Sequence, residues 1–190
     1  ATNGVIWFST STAATGNNNN TIDNCDLRDG ATTPSNIIDA FGTTGKHNSN
    51  NVISNNNIFN FNNAAGNSSG ILIGNYNTAW TVTGNSFYQE AARTVGGDWY
   101  GIQLASTAGD GFTFTDNFFG GSAPNAAGSA MSLTMTGVFR GGIRASTGTA
   151  VATSIQGNTI KNIAITSSSA STVNALIGLA SGTFNVGTIT

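Results

Sequence analysis

Val82-Thr83-Gly84-Asn85-Ser86-Phe87 is the stretch whose recurrence decides the fold. Its frame is an apolar residue, a spacer, a residue that tolerates a left-handed backbone, an asparagine, another spacer and a second apolar residue. The same frame returns as Ile22-Asp23-Asn24-Cys25-Asp26-Leu27, Ile53-Ser54-Asn55-Asn56-Asn57-Ile58, Phe114-Thr115-Asp116-Asn117-Phe118-Phe119 and Ile155-Gln156-Gly157-Asn158-Thr159-Ile160, at spacings of 31, 29, 32 and 41 residues. The third position is only ever Asn, Gly or Asp, the types that accept positive φ at small cost. The fourth is Asn in four copies and Cys25 in one. Repetition at this period marks a stacked-repeat architecture.

A second set of short apolar stretches falls between these copies: Gly4-Val5-Ile6-Trp7, Asn36-Ile37-Ile38-Asp39, Gly70-Ile71-Leu72-Ile73, Gly101-Ile102-Gln103-Leu104 and Asn174-Ala175-Leu176-Ile177. One repeat therefore reads as strand, left-handed corner, strand, polar loop, third strand. Such a unit forms a parallel β-helix, in which equivalent residues of successive coils lie about 4.8 Å apart. Positions one and six point into the core. Position four, at Cys25, Asn56, Asn85, Asn117 and Asn158, stacks into a ladder of side-chain amides. The expected architecture is all-β, a single-stranded parallel β-helix of about six coils of about 30 residues, one domain over 1–190 with uncapped ends, and its resemblance to pectate-lyase-like coil repeats implies that it is right-handed. Those ends are expected to belong to a longer solenoid, or to stack end to end with copies of the chain.

Composition agrees. Asn, Thr, Ser and Gly number 26, 27, 19 and 25 of 190 residues, while one Glu, two Lys and three Gln leave little to build helix interiors. Six basic residues scattered along the chain cannot neutralise a phosphate track, so nucleic acid is excluded as a partner. No apolar run approaches the roughly 18 residues of a membrane span. One cysteine excludes an intramolecular disulfide and a thiolate-only zinc site. The coil between Phe119 and Ile155 is about ten residues longer than the others and offers two candidate third strands, Ser132-Leu133-Thr134-Met135 and Gly142-Ile143-Arg144.

The corners at Val82 to Phe87 and Ile155 to Ile160 resemble the coil repeats of the pectate-lyase-like superfamily. The Lys-poor, Asn/Thr/Ser/Gly-rich texture resembles the β-strand-repeat surface proteins that bacteria export by type IX secretion. That resemblance implies an extracellular or cell-surface location and a structural or adhesive role. A polysaccharide-active enzyme, or its non-catalytic portion, is the alternative, and a self-assembling fibre the third reading. Family catalytic patterns (paired aspartates, Asn-Thr-Asp, Gly-His-Gly, Arg-x-Lys) are missing from the chain, so no catalytic residue, metal or cofactor is assigned.

The remaining candidates are binding residues. Tyr88, Trp99 and Tyr100, with Asp98 beside them, have the chemistry to stack on sugar faces and bond hydroxyls, which makes a polysaccharide or cell-surface glycan the expected soluble partner. Closure of the core under a long loop is the favoured reading of the same aromatics, with glycan contact the alternative. Tyr88 is expected to face outward. Cys25 reads as a small buried rung of the ladder, Asp23, Asp26 and Asp29 as an acidic edge that discourages lateral pairing, and His47 as a solvated loop residue. Thr81, Thr83, Thr113 and Thr115 form outward pairs reminiscent of ice-binding solenoids, but the array is broken elsewhere and β-propensity explains it.

Overall fold

The computed structural model describes residues 4–9, 12–28, 33–167 and 175–187. It is an all-β parallel solenoid. Among the described residues the single helical element is one 3-10 turn, Pro124–Ala126. The first strand of each coil lies in a six-stranded sheet: Thr21–Asp23, Val52–Ser54, Thr81–Thr83, Thr113–Thr115, Thr153–Gln156 and Phe184–Val186. The second strands, Asp26–Leu27, Asn57–Phe59, Ser86–Tyr88, Phe118–Phe119 and Thr159–Ile160, form a five-stranded sheet. The third strands, Ile6–Phe8, Asn36–Ala40, Ser68–Ile73, Trp99–Ser106, Ile143–Thr147 and Ile177–Ser181, form another six-stranded sheet. Six strands bound five intervals, so the described residues make about five turns and not six.

The corner between first and second strands follows its residue types. Asn24, Asn55, Gly84, Asp116 and Gly157 all have positive φ, between 52° and 67°. Registers then place like on like. Ile22, Ile53, Val82, Phe114, Ile155 and Val186 form one file, and Leu27, Ile58, Phe87, Phe119 and Ile160 another. Ile6, Ile38, Ile71, Ile102, Ile143 and Ile177 line the third wall. Apart from Val186, which is exposed at the last turn, these files make up the core. The Phe87 and Phe119 rings stack 4.7 Å apart, against backbone that carries no side chain: a Cβ on Gly101 would stand 2.4 Å from Phe119 Cδ1 and 2.6 Å from the Gly142 carbonyl. Glycine is required there by close approach.

The long coil contains both candidate strands, in different walls. Ile143–Thr147 is the third strand. Met131–Met135 instead pairs with Arg93–Val95 and Ile163–Ser167 in a separate three-stranded parallel sheet. Strict alternation explains this, since Met131, Leu133 and Met135 are buried and Ser132 and Thr134 exposed. Two polar stretches between the apolar strands also carry short strands: residues 90–98 hold Arg93–Val95, and residues 43–50 hold Asn48–Ser49, which pairs with Asn77–Thr78.

Asp39 is an exception to the apolar interior. It lies beside Trp7 and Leu72 in the third sheet and is only 4% exposed. Its Oδ2 accepts from Asn36 Nδ2 at 3.3 Å, and its Oδ1 has no partner. Burial raises the carboxyl above its usual range, against the opposing pull of the Asn36 amide. A raised folded-state value means that ionisation opposes folding once pH exceeds the ordinary 3.8, and that the cost is absent below it. Asp39→Asn should therefore raise the melting temperature at neutral pH and lose that advantage in acid. An equal difference between variant and wild type at both ends of a pH series of melting curves would contradict this.

Candidate functional site

The predicted amide ladder is present and continuous. Cys25 N–H donates to Asn56 Oδ1 (2.9 Å), Asn56 N–H and Nδ2 to Asn85 Oδ1 (3.0 Å each), Asn85 N–H and Nδ2 to Asn117 Oδ1 (3.1 and 3.0 Å), and Asn117 N–H and Nδ2 to Asn158 Oδ1 (3.0 Å each). Each Nδ2 also donates to a carbonyl of the preceding coil: Ile22, Ile53, Val82 and Phe114 in turn. One asparagine thus satisfies the corner peptide below it and is held by the side chain above. Asn56, Asn85 and Asn117 are buried and Asn158 is half-buried. Cys25 corrects the expectation of a buried rung. It is exposed, and its Sγ contacts only the Asp23 carbonyl at 3.2 Å. The file of side-chain amides begins at Asn56, and Cys25 joins it through its backbone N–H.

Buried asparagines between the third and first strands, at Asn48, Asn51 and Asn77, escaped the sequence reading; Asn48 Nδ2 and Asn77 Oδ1 have no partner among the described residues, so these amides do not join into a continuous file. Asn17 and Asn20 N–H groups donate to Asn48 Oδ1 (2.8 Å) and Asn51 Oδ1 (2.9 Å), Asn77 N–H to Ser106 Oγ (3.2 Å), and Asn77 Nδ2 to the Gly74 carbonyl (2.8 Å). Asn48, Asn51 and Asn77 are fully buried. The available signal was their spacing, the same 31 and 29 residues as the main template, hidden inside stretches that look like polar loop.

The aromatic candidates divide. Trp99 is 0% exposed, sandwiched between Phe61 and Phe139 at centroid distances of 5.3 Å on either side, nearly parallel to both. Neither face is open to a sugar, which corrects its assignment as a glycan contact. Tyr88 lies on the outer side of its coil, as expected, and is covered there: it is 5% exposed and stacked on Phe59 at 4.7 Å. The Pro124–Ala126 turn packs over this strand, with Asn125 N–H donating to Ser86 Oγ at 2.9 Å. Burial and the nearby Glu90 and Asp26 carboxylates push its hydroxyl up to about 12. Tyr100 is 7% exposed.

Asp98 and Tyr100 do come together, around a residue that was not foreseen. Asp98 Oδ2 accepts from Arg140 Nε at 2.8 Å and from the Tyr100 hydroxyl at 3.1 Å, while Oδ1 accepts from Val138 N–H at 3.0 Å. Burial pushes the carboxyl up, but Arg140, Val138 and Tyr100 outweigh it and hold it below its usual range. Burial and the same carboxylate raise the Tyr100 phenol. The cluster ties the third strand to the approach of the next coil. Because the folded-state value is depressed, its contribution is present above the unfolded value near 3.8 and is lost as pH falls through the folded one. Asp98→Ala should cost about 1–2 kcal/mol at neutral pH, the scale of a half-exposed ion pair plus an orphaned amide. Urea melts should show the gap closing in acid.

On the acidic edge, Asp23 accepts from Ser54 Oγ (2.6 Å) and Asn55 Nδ2 (3.0 Å), which lower its pKa, and Asp26 accepts from Asn57 Nδ2 (2.7 Å). Asp29 lies outside the described residues. Among the described residues no three His, Cys, Asp or Glu side chains converge as metal ligands.

A cleft of about 370 Å³ opens between the first two coils, lined by Ala14, Thr15, Gly16, Asn18, Gly45, Lys46, His47 and Ser49. His47 is half-buried there, with its ring against Tyr76 at 5.7 Å. Comparison with protein-family models, curated proteins and solved structures finds no match for the chain.

Proposed function

We propose that this chain is a non-catalytic structural segment of an extracellular bacterial surface protein, a stiff spacer that holds distance and displays loops. The observation that supports this most directly is the Asn56–Asn85–Asn117–Asn158 file, which ties each coil to the next through buried bonds. The aromatic and ionic candidates serve the same end, as Trp99 closes the core and Asp98 joins Arg140 and Tyr100 across coils. In this reading the chain belongs with the exported β-strand-repeat proteins that its texture resembles, on a pectate-lyase-like coil. Any glycan contact is weak for one segment and gains strength only by repetition.

The test is incubation with a panel of neutral and acidic polysaccharides. Reducing ends would be followed for hydrolysis, and the absorbance of unsaturated sugars for elimination. The spacer reading expects neither product above a heat-denatured control. Turnover of any member of the panel would replace it with the polysaccharide-active alternative.

A further inference from the structure

The cleft between the first two coils gathers uncommitted hydrogen-bond donors without a carboxylate among its lining residues. Lys46 Nζ donates to the Thr12 carbonyl at 3.2 Å, which positions the ammonium and leaves it two further N–H bonds. Asn18 Oδ1 is occupied, accepting from Ser49 N–H (2.8 Å) and Ser49 Oγ (2.9 Å). That orients the amide and leaves its Nδ2 without an acceptor among the described residues. The His47 ring nitrogens and the Thr15 hydroxyl likewise find no partner among the described residues, and Tyr76 supports one side of the imidazole. The walls are fixed by backbone. Lys46 and Thr43 exchange main-chain bonds around Gly45, and Gly16 lies so close to the His47 carbonyl that a Cβ would stand 2.2 Å from it.

Four side-chain donors and one permanent positive charge, in a chain with net charge -2, specify an electron-rich guest. We propose that this cleft binds an oxyanion, a carboxylate or a sulfate-like group, carried on a body up to the size of a monosaccharide. Lys46 supplies the charge. His47 and Asn18 donate to the oxygens, and Thr15 to a neighbouring hydroxyl. The volume lies at the lower end of small-molecule sites, which suits a single small residue and not a chain. This site is independent of the spacer reading and would exist on a solenoid of any function.

His47 is the only histidine, so its Hε1 resonance reports on the cleft without assignment ambiguity. The whole chain is titrated at constant pH and ionic strength with acetate, with sulfate and with inorganic phosphate, glucose being the neutral control. The expected result is a saturable His47 shift for at least one anion, with millimolar Kd on the order of that given by a few charge-assisted bonds in water, and none for glucose. Acetate alone saturating assigns a carboxylate site, and sulfate or phosphate alone a tetrahedral-anion site. Lys46→Gln should weaken binding by up to about fivefold, the upper end for one half-exposed charge. Lys161→Gln, remote from the cleft, should leave it unchanged. The backbone amide spectrum checks that each variant is folded. Only linear, non-saturating shifts with all three anions, or equal affinity in Lys46→Gln, would overturn the proposal.

Discussion

Replacing Trp99 with alanine should destabilise the solenoid by about 3–5 kcal/mol, the range for truncating a large buried aromatic. The indole is the middle ring of the Phe61–Trp99–Phe139 stack, fully enclosed, so its removal opens a cavity between two aromatics fixed in different coils. Trp99→Phe separates packing from hydrogen bonding. The Trp99 Nε1 is buried without a partner, so phenylalanine loses volume but also relieves an unpaired donor. The phenylalanine variant should lie much closer to wild type than the alanine variant in chemical denaturation. Similar losses for both would mean that the indole N–H is satisfied and the stack is not the source of stability. An alanine variant of unchanged stability would put Trp99 back on the surface, where a sugar could reach it.

The second large effect belongs to Asn85. Leucine at this position is close in volume but abolishes the side-chain bonds through which Asn85 holds Asn56, Asn117 and the carbonyls of Ile53 and Thr83. The stranded groups include the buried N–H of Asn56 and the Ile53 carbonyl. At about 1–3 kcal/mol for each uncompensated buried group, with partial relaxation, a total near 3–5 kcal/mol is expected. Cys25→Ser, at the exposed end of the same file, should change stability by less than about 0.5 kcal/mol. A leucine variant as stable as the serine variant would remove the ladder as a structural element.

The parts legible in sequence are those that local chemistry dictates. The left-handed corners need Asn, Gly or Asp, and the flanking Ile, Val, Leu and Phe positions have to face inward. Both properties recur at a spacing that can be counted. Asn48, Asn51 and Asn77 obey the same spacing, but in Asn-rich stretches a buried amide and a solvated one look alike. Arg93–Val95 is three residues inside a polar segment and becomes a strand only because Met131–Met135 lies beside it. Tyr88 alternates correctly to the outside of its coil. It is buried against Phe59 of the neighbouring coil, on a strand that the Pro124–Ala126 turn of a later excursion packs against, and nothing near Tyr88 in sequence announces that turn. Asp98 finds Arg140 42 residues away, and the Lys46 cleft forms where loops from two coils meet. The repeat period predicts which residues stack, and leaves open which loops fold back over them.

The most direct test is hydrogen exchange of the asparagine side-chain amides, followed residue by residue by NMR. If the buried amide file holds coil to coil, the Nδ2 protons of Asn56, Asn85 and Asn117 exchange orders of magnitude more slowly than that of Asn18, whose Nδ2 faces an open cleft. Exchange of all four at the same fast rate would show that the asparagines are solvated, and the account of this solenoid's cohesion would fail.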